Sequence, residues 1–184
     1  MSESVREDGH VDSILVTGGC GFIGSNFIRY LLSKESPPHI INVDCLTYAG
    51  SIDNISEFMD SSNHIFVNSD IRDYNSISKI FKKYKPEIVV NFAAESHVDR
   101  SITGPDAFVT TNVIGTHSLL KAAKKAWLDV GSGKPHQFHH VSREEEKTKS
   151  RRLFQKSFDC EGFWIRAISR WILFKPPILW RLQS

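Results

Sequence analysis

The sequence predicts an α/β fold, a doubly wound parallel sheet with helices on both faces. Three observations carry that expectation. Short β-branched runs alternate with segments of helical period. The first run ends in Gly18-Gly19 and opens directly on a helical segment, the strand–glycine–helix order of a βαβ unit. The composition is globular, with 40% apolar and 24% charged residues in 184, enough for one ordinary domain and short for two.

Ser13 to Thr17 is a β-branched run and reads as a buried parallel strand. Phe22, Ile23, Phe27, Tyr30 and Leu31 then recur at three and four residues, predicting a helix with that apolar face, and Pro37-Pro38 stops it. His39 to Val43 is a second strand ending in Asp44, and His64 to Val67 a third ending near Asp70. From Ser76 to Tyr84, residues Ile77, Ile80, Phe81 and Tyr84 share one helical face; the lysines between Lys79 and Lys85 are its wet face. Pro86 ends that helix, and Glu87 to Asn91 is the fourth strand. Pro105-Asp106 starts a long helix carrying Phe108, Asn112, Gly115, Leu119 and Ala122-Ala123 to about Trp127. Gln137 to Val141 is the fifth strand. Crossovers between parallel strands are expected to be right-handed.

The bulk charge, 23 basic against 21 acidic residues, asks for no nucleic acid. Residues 1–12 carry acids and no apolar run, so they read as a disordered N-terminus and not a secretory signal. No stretch of eighteen apolar residues predicts a transmembrane helix. Three cysteines, Cys20, Cys45 and Cys160, are too few for a disulfide framework and predict reduced thiols in a cytoplasmic protein. The averages hide a seam. Residues 1–142 hold 13 basic and 16 acidic side chains, whereas 143–184 hold 10 and 5, with three of the four tryptophans. The expected organisation is therefore a partial doubly wound domain over 13–142, truncated after about five strands, and a divergent basic, aromatic C-terminal tail over 143–184.

The chemistry is carried by Thr17-Gly18-Gly19-Cys20-Gly21-Phe22-Ile23-Gly24, with Gly18, Gly21 and Gly24 at G-x-x-G-x-x-G spacing. The first glycine permits a tight turn, the second lets the backbone approach a pyrophosphate, and the third lets the helix pack closely on the strand. Phosphates then meet free N–H groups at the positive end of a helix. Asp44 stands 20 residues after Gly24, at the end of the second strand. Its carboxylate can accept from both ribose hydroxyls of an adenosine and would repel a 2′-phosphate. No Arg or Lys between Cys45 and Glu57 neutralises such a phosphate, so NAD is favoured over NADP. The alternative for Asp44 is an acid capping its loop. Asp70 can hydrogen-bond an adenine amino group or be a turn residue before Arg72. Small residues after the fourth strand, Ala93 and Ala94, leave room for a ligand or answer a packing need. His97 reads as a structural hydrogen-bonder. Strand alternation sends His139 and His140 to opposite faces, so no metal site is expected.

With these residues in hand the chain resembles the extended short-chain dehydrogenase/reductase superfamily, and within it the dTDP-glucose 4,6-dehydratases, over residues 13–142. The resemblance rests on Ile14 to Phe27, on Asn42-Val43-Asp44-Cys45-Leu46-Thr47-Tyr48-Ala49-Gly50, on Asp70 to Asp73, and on Asn91-Phe92-Ala93-Ala94-Glu95-Ser96-His97-Val98-Asp99-Arg100-Ser101-Ile102. Thr111 to Thr116 and Phe138 to Ser142 complete it. It implies NAD contacts at Phe22 and Ile23, at Asp44, Cys45, Leu46 and Thr47, at Asp70 and Ile71, at Phe92, Ala93, Ala94, Glu95 and Ser96, and at Thr111. Ser96 would also reach the sugar nucleotide. In this family NAD is a returning cofactor. A Tyr takes the sugar O4 proton as the C4 hydride leaves, a Glu removes the C5 proton, an Asp protonates the departing C6 hydroxyl, and the hydride returns to C6. The net reaction is loss of water from dTDP-glucose, a lyase reaction. Family homodimers use the long helix near 106–126 and the helix after it, which has no counterpart here.

After Ser142 the pattern breaks. The family continues Thr-Asp-Glu-Val-Tyr-Gly; this chain has Arg143-Glu144-Glu145-Glu146-Lys147-Thr148. Glu144 and Glu145 hold the positions of the acid and the base, but their flanks do not match. The family also needs Tyr-x-x-x-Lys on the next helix. The sole match is Tyr30 to Lys34, on the helix after the glycine loop, where Tyr30 is expected to pack in the core. No catalytic residue is therefore assigned. The tail reads as a frameshift, a retained intron or a gene-model error. Its segment Phe163 to Ile172 has two further readings, as a membrane-surface peptide or as a cover for bare sheet. The expectation kept is an NAD-binding portion without the catalytic pair, with no membrane partner. The alternative is a stand-alone NAD-binding or regulatory module.

Overall fold

The computed structural model describes residues 12–96, 105–128, 136–141 and 164–167. His97, Ser142, Glu144, Glu145, Cys160 and nearly all of the expected disordered N-terminus lie outside them. The described elements are β1 (Ser13–Thr17), α1 (Phe22–Leu32), β2 (His39–Asp44), a 3-10 helix (Ile52–Phe58), β3 (His64–Asn68), α2 (Tyr74–Tyr84) and β4 (Ile88–Asn91). Then come α3 (Pro105–Phe108), a π-helical stretch (Val109–Gly115), α4 (Thr116–Trp127), β5 (Gln137–His140) and β6 (Trp164–Ala167).

All six strands run parallel in the order β3-β2-β1-β4-β5-β6. This is the Rossmann order, in which the chain winds outward from β1 in one direction and then from β4 in the other. Alternation along the strands feeds two cores. Leu15, Ile41, Val43, Val89 and Phe138 point to one face, against Ile77 and Phe81 of α2 and Leu119 and Trp127 of α4. Ile14, Val16, Ile40 and Val90 point to the other, against Ile28 of α1 and Ile55 and Phe58 of the 3-10 helix. Burial on both faces is why these strands read as unbroken apolar runs. The expected five strands are all present. The sixth comes from the tail: β6 pairs with β5 in parallel, Gln137 opposite Trp164 and His140 opposite Ala167.

Two expectations are corrected. The most buried residues of α1 are Gly24, Ser25 and Ile28; of the expected face Phe27 and Leu31 do pack against the core, but Phe22 is 82% and Tyr30 49% exposed, and Ile23 is exposed too. The small residues let the helix sit close to β1, and close approach, not side-chain size, selects the buried face. Tyr30 is thus a surface residue, with the Lys34 ammonium 3.9 Å from its ring centroid. The long helix is not uniformly α-helical either. Its π-helical stretch ends at Gly115, where a Cβ would stand 2.7 Å from Ile71 Cδ1. The end of the π-helical stretch therefore presses directly on Ile71, the residue that follows Asp70. The 3-10 helix had no counterpart in the expected elements. Ile52, Ile55 and Phe58 recur at its period of three, and the Ser51 hydroxyl accepts from Asp53 N–H at its start.

Candidate functional site: a crevice at the strand-order reversal

The sheet order reverses between β1 and β4, the point at which an open α/β sheet forms its ligand crevice, outside the carboxyl ends of the strands. Its floor is the glycine turn. Gly18 has φ +69° and no space for a side chain, since a Cβ would lie 2.7 Å from Ala93 N. A Cβ on Gly24 would lie 2.2 Å from Gly18 O, so the third glycine fixes the contact between α1 and the turn. A Cβ on Gly21 meets nothing closer than 3.3 Å. Gly21 is the N-cap of α1 and supplies no side-chain cap, and no acid occupies the first turn. The helix thus presents uncapped N–H groups and its positive end to the crevice. Gly19, not singled out by the spacing, is equally constrained: a Cβ there would lie 2.0 Å from Asn42 Oδ1.

Asp44 stands at the wall formed by the end of β2, 9% exposed. Its Oδ2 accepts from Cys20 N–H at 2.9 Å and its Oδ1 from Leu46 N–H at 2.8 Å. Asp44 therefore does cap its loop, and Leu46 adopts φ +54° in consequence. A carboxylate offers about four acceptor positions, so two remain for hydroxyl donors. Burial pushes the neighbouring Cys20 thiol up to about 12, with the Asp44 charge adding to it. Burial also raises the exposed Cys45 thiol, helped by Asp70 and Asp44, so both thiols are protonated at neutral pH.

Asp70 is engaged by Arg72, whose Nη2 is 2.6 Å from Oδ2 and whose backbone N–H is 2.8 Å from Oδ1. Burial opposes ionisation of Asp70, but these hydrogen bonds and the guanidinium charge outweigh it and hold its carboxyl below the ordinary value. The turn alternative for Asp70 is thus the arrangement present. Arg72 is a cation that a reading of residues 45–57 overlooks; the Asp70 carboxylate binds it, and it also acts electrostatically on Cys45 and Glu95. The Ile71 side chain lies in the core.

On the opposite wall, Phe92 packs against Phe27 with ring centroids 5.3 Å apart, Ala93 is half-buried, and Ala94 and Ser96 are exposed. Asn112, passed over as a helix residue, clamps this loop. Its Oδ1 accepts from Glu95 N–H at 2.8 Å and its Nδ2 donates to Glu95 O at 2.9 Å. Thr111 beside it is half-buried in the π-helical stretch. Beneath the crevice the Thr17 hydroxyl donates to Asn91 Oδ1, and Asn91 Nδ2 donates to Thr116 Oγ1 (3.3 Å) and to His140 Nδ1 (3.0 Å). Burial lowers the His140 pKa, which keeps the ring neutral and its Nδ1 an acceptor. His139, on the other face, bonds Gln137 Oε1. Among the described residues no group of three or more His, Cys, Asp or Glu is placed to hold a metal, and no helix is long and apolar enough to cross a membrane.

The model of the GDP-mannose 4,6 dehydratase family matches residues 15–146, the stretch that builds this crevice. The chain belongs to that family. A dTDP-glucose 4,6-dehydratase of Salmonella typhimurium is 46% identical over 134 residues, covering 72% of this chain and 37% of the relative. Among solved structures, the dTDP-glucose 4,6-dehydratase DesIV of Streptomyces venezuelae, determined with NAD bound, superposes with a TM-score of 0.62. It is 41% identical and covers 71% of this chain and 39% of that one. The dTDP-glucose 4,6-dehydratase of Bacillus anthracis, in complex with NAD, gives a TM-score of 0.58 at 40% identity, over 71% and 37%. The chain thus spans well under half the length of these dehydratases. The resemblance drawn from the glycine turn, the Asp44 loop and the Glu95 loop is borne out at the level of the family.

Proposed function

We propose that this chain is the NAD-binding portion of a nucleotide-sugar 4,6-dehydratase acting on dTDP-glucose, and that this polypeptide alone does not complete the reaction. One observation carries the proposal: a side-chain-free glycine cradle at an uncapped helix N-terminus lies one strand away from the buried Asp44 carboxylate. A pyrophosphate and an adenosine ribose fit these two features, and the distance between neighbouring strands, about 4.8 Å, suits their connection in one dinucleotide. NAD bound there would supply the hydride acceptor of the reaction.

The chain's own groups have distinct tasks in this proposal. N–H groups at Phe22, Ile23 and Gly24 hold phosphate oxygens above Gly18 and Gly21. Asp44 accepts from the ribose hydroxyls, while Cys45, Leu46 and Thr47 line the adenosine. Asp70 and Ile71 border the adenine through their backbone, because Arg72 holds the Asp70 carboxylate. Phe92, Ala93, Ala94, Glu95 and Ser96, with Thr111, flank the remaining half, and Ser96 faces the sugar nucleotide. In this proposal 13–142 form the cofactor domain, and the divergent tail over 143–184 contributes β6 to the edge of its sheet. The free cysteines Cys20 and Cys45 suit a cytoplasmic setting.

The proton transfers at sugar O4 and C5 need a base beside the sugar. Tyrosines stand only at 30, 48, 74 and 84, and the one Tyr-x-x-x-Lys pair, Tyr30 and Lys34, lies on the exposed side of α1. Losing such a base alone removes about 10²–10⁴-fold of rate. That absence is also what favours a second reading, an NAD-binding module without catalysis. Incubating the purified chain with NAD and dTDP-glucose tests the proposal: NAD binds and no 4-keto product accumulates. Sustained product formation, abolished by Tyr30→Phe or Glu145→Gln, would contradict it.

A further inference from the structure

Two loops flank the glycine turn, and a side-chain bond joins them. β1 lies between β2 and β4. Strands stand about 4.8 Å apart, so the loops after β2 and β4 leave the sheet roughly 10 Å apart with the glycine turn between them. Both loops touch the turn: a Cβ on Gly21 would lie 3.8 Å from Ala49 O, and one on Gly18 would lie 2.7 Å from Ala93 N. The Tyr48 hydroxyl, from the first loop, donates to Glu95 Oε2, from the second, at 3.3 Å across 47 residues of sequence.

Neither end of this bond is carried on a free arm. The Tyr48 loop is tied down on the glycine turn, with Ser51 N–H donating to Cys20 O at 3.1 Å and Asn54 Nδ2 to the same oxygen at 2.8 Å. Gly50 N–H closes a turn on Thr47 O, and Gly50 itself packs against the Asp44 carboxylate. Glu95 is held by the paired bonds of Asn112 to its backbone. Two anchored loops, one on each side of the glycine turn, are thus joined by one side-chain bond.

We propose that Tyr48 and Glu95 form a strap across the mouth of the crevice, which must part for a dinucleotide to reach or leave the glycine turn. The strap rests on the dinucleotide reading given above. It differs from a contact residue in what it controls. A contact changes affinity. A strap that spans the mouth whether or not the crevice is filled slows entry and exit alike and leaves affinity unchanged.

The test follows NADH fluorescence in stopped flow, with association on mixing and dissociation on a chase with excess NAD. It compares the full chain, Tyr48→Phe, Glu95→Ala and the double variant. Tyr48→Phe keeps the ring and removes only the hydroxyl. A net hydrogen bond of this kind corresponds to about a two- to tenfold change in rate. Both rates should rise together by that factor in Tyr48→Phe, with Kd within about twofold; Glu95 also flanks the dinucleotide, so Glu95→Ala serves only as the background in which loss of the Tyr48 hydroxyl has no further effect. The double variant should be no faster than the faster single, because the two side chains make one bond. In Tyr48→Phe, unchanged rates or a loss of affinity carried by dissociation alone, and in the double variant multiplicative effects, would each overturn the strap while leaving the dinucleotide site standing. Failure of the unmutated chain to bind NADH would overturn the dinucleotide reading, and the strap with it.

Discussion

Gly24 shows how a single residue sets the site. Its α-carbon faces Gly18 O so closely that a methyl group would stand 2.2 Å away, well inside contact distance. Gly24→Ala must push α1 away from β1 or twist the turn, and overpacking of this kind typically costs 1–3 kcal/mol. The expected result is a lower melting temperature together with weakened NAD binding, because the same movement carries the helix N-terminus away from the turn. Calorimetric melting and a binding titration on one sample check it; an unchanged melt with full binding would show that the contact relaxes freely. The residues that spacing identified, Gly18, Gly21, Gly24 and Asp44, are those whose backbone or charge is dictated locally. Asn112, Tyr48 and Arg72 were not legible in that way. Asn112 and Tyr48 act through partners that the fold brings near, 17 and 47 residues away, whereas Arg72 binds an acid two residues before it and lies outside the stretch 45–57 in which a cation was sought.

At the scale of elements, strands were easier to read than helical faces. A strand buried on both sides needs only a short β-branched run, and β1 to β5 lie where those runs lie. α1 was misread in part: Phe27 and Leu31 pack inward as their spacing indicates, but Phe22 and Tyr30 face outward while Gly24 and Ser25 take the sheet. The π-helical stretch and the 3-10 helix were missed because their periods differ from 3.6 and their runs are short. β2 and β3 carry a testable feature of their own. His64 opens β3 at 5% exposure, edge-on to Phe58 of the 3-10 helix, with its Nε2 3.4 Å from Asn42 Nδ2 on β2. Burial lowers its pKa below the ordinary 6.5. Between the folded and unfolded values the unfolded chain binds the extra proton. The neutral ring's contribution is therefore full above about pH 6.5 and lost as pH falls toward the folded value. His140, also lowered by burial, adds in the same direction. Denaturant midpoints should decline from pH 7 to pH 5, and His64→Leu should flatten that decline. An unaltered slope in the variant would remove His64 from the account.

For the whole molecule, the sheet continues past the residues that carry the family pattern. β6 covers the edge of β5, which would otherwise present unpaired N–H and C=O groups. Composition marked the tail as different, with its excess of basic residues and tryptophans, but gave no strand; Trp164–Ala167 has no turn signal or alternation to announce one. A chain ending at residue 142 should melt at lower temperature than the full chain and self-associate through the bared edge. Melting and sedimentation of the two forms decide this, and a monomeric shortened chain of equal stability would show that the tail covers nothing. We infer that the glycine turn and Asp44 make the crevice a site for NAD in preference to NADP. The most direct measurement is calorimetric titration of both dinucleotides into the unmutated chain and into Asp44→Ala. The account predicts tighter binding of NAD by the unmutated chain, and in Asp44→Ala a weaker NAD complex with about 1–3 kcal/mol of the discrimination lost. Equal affinities of the unmutated chain for NAD and NADP would contradict it.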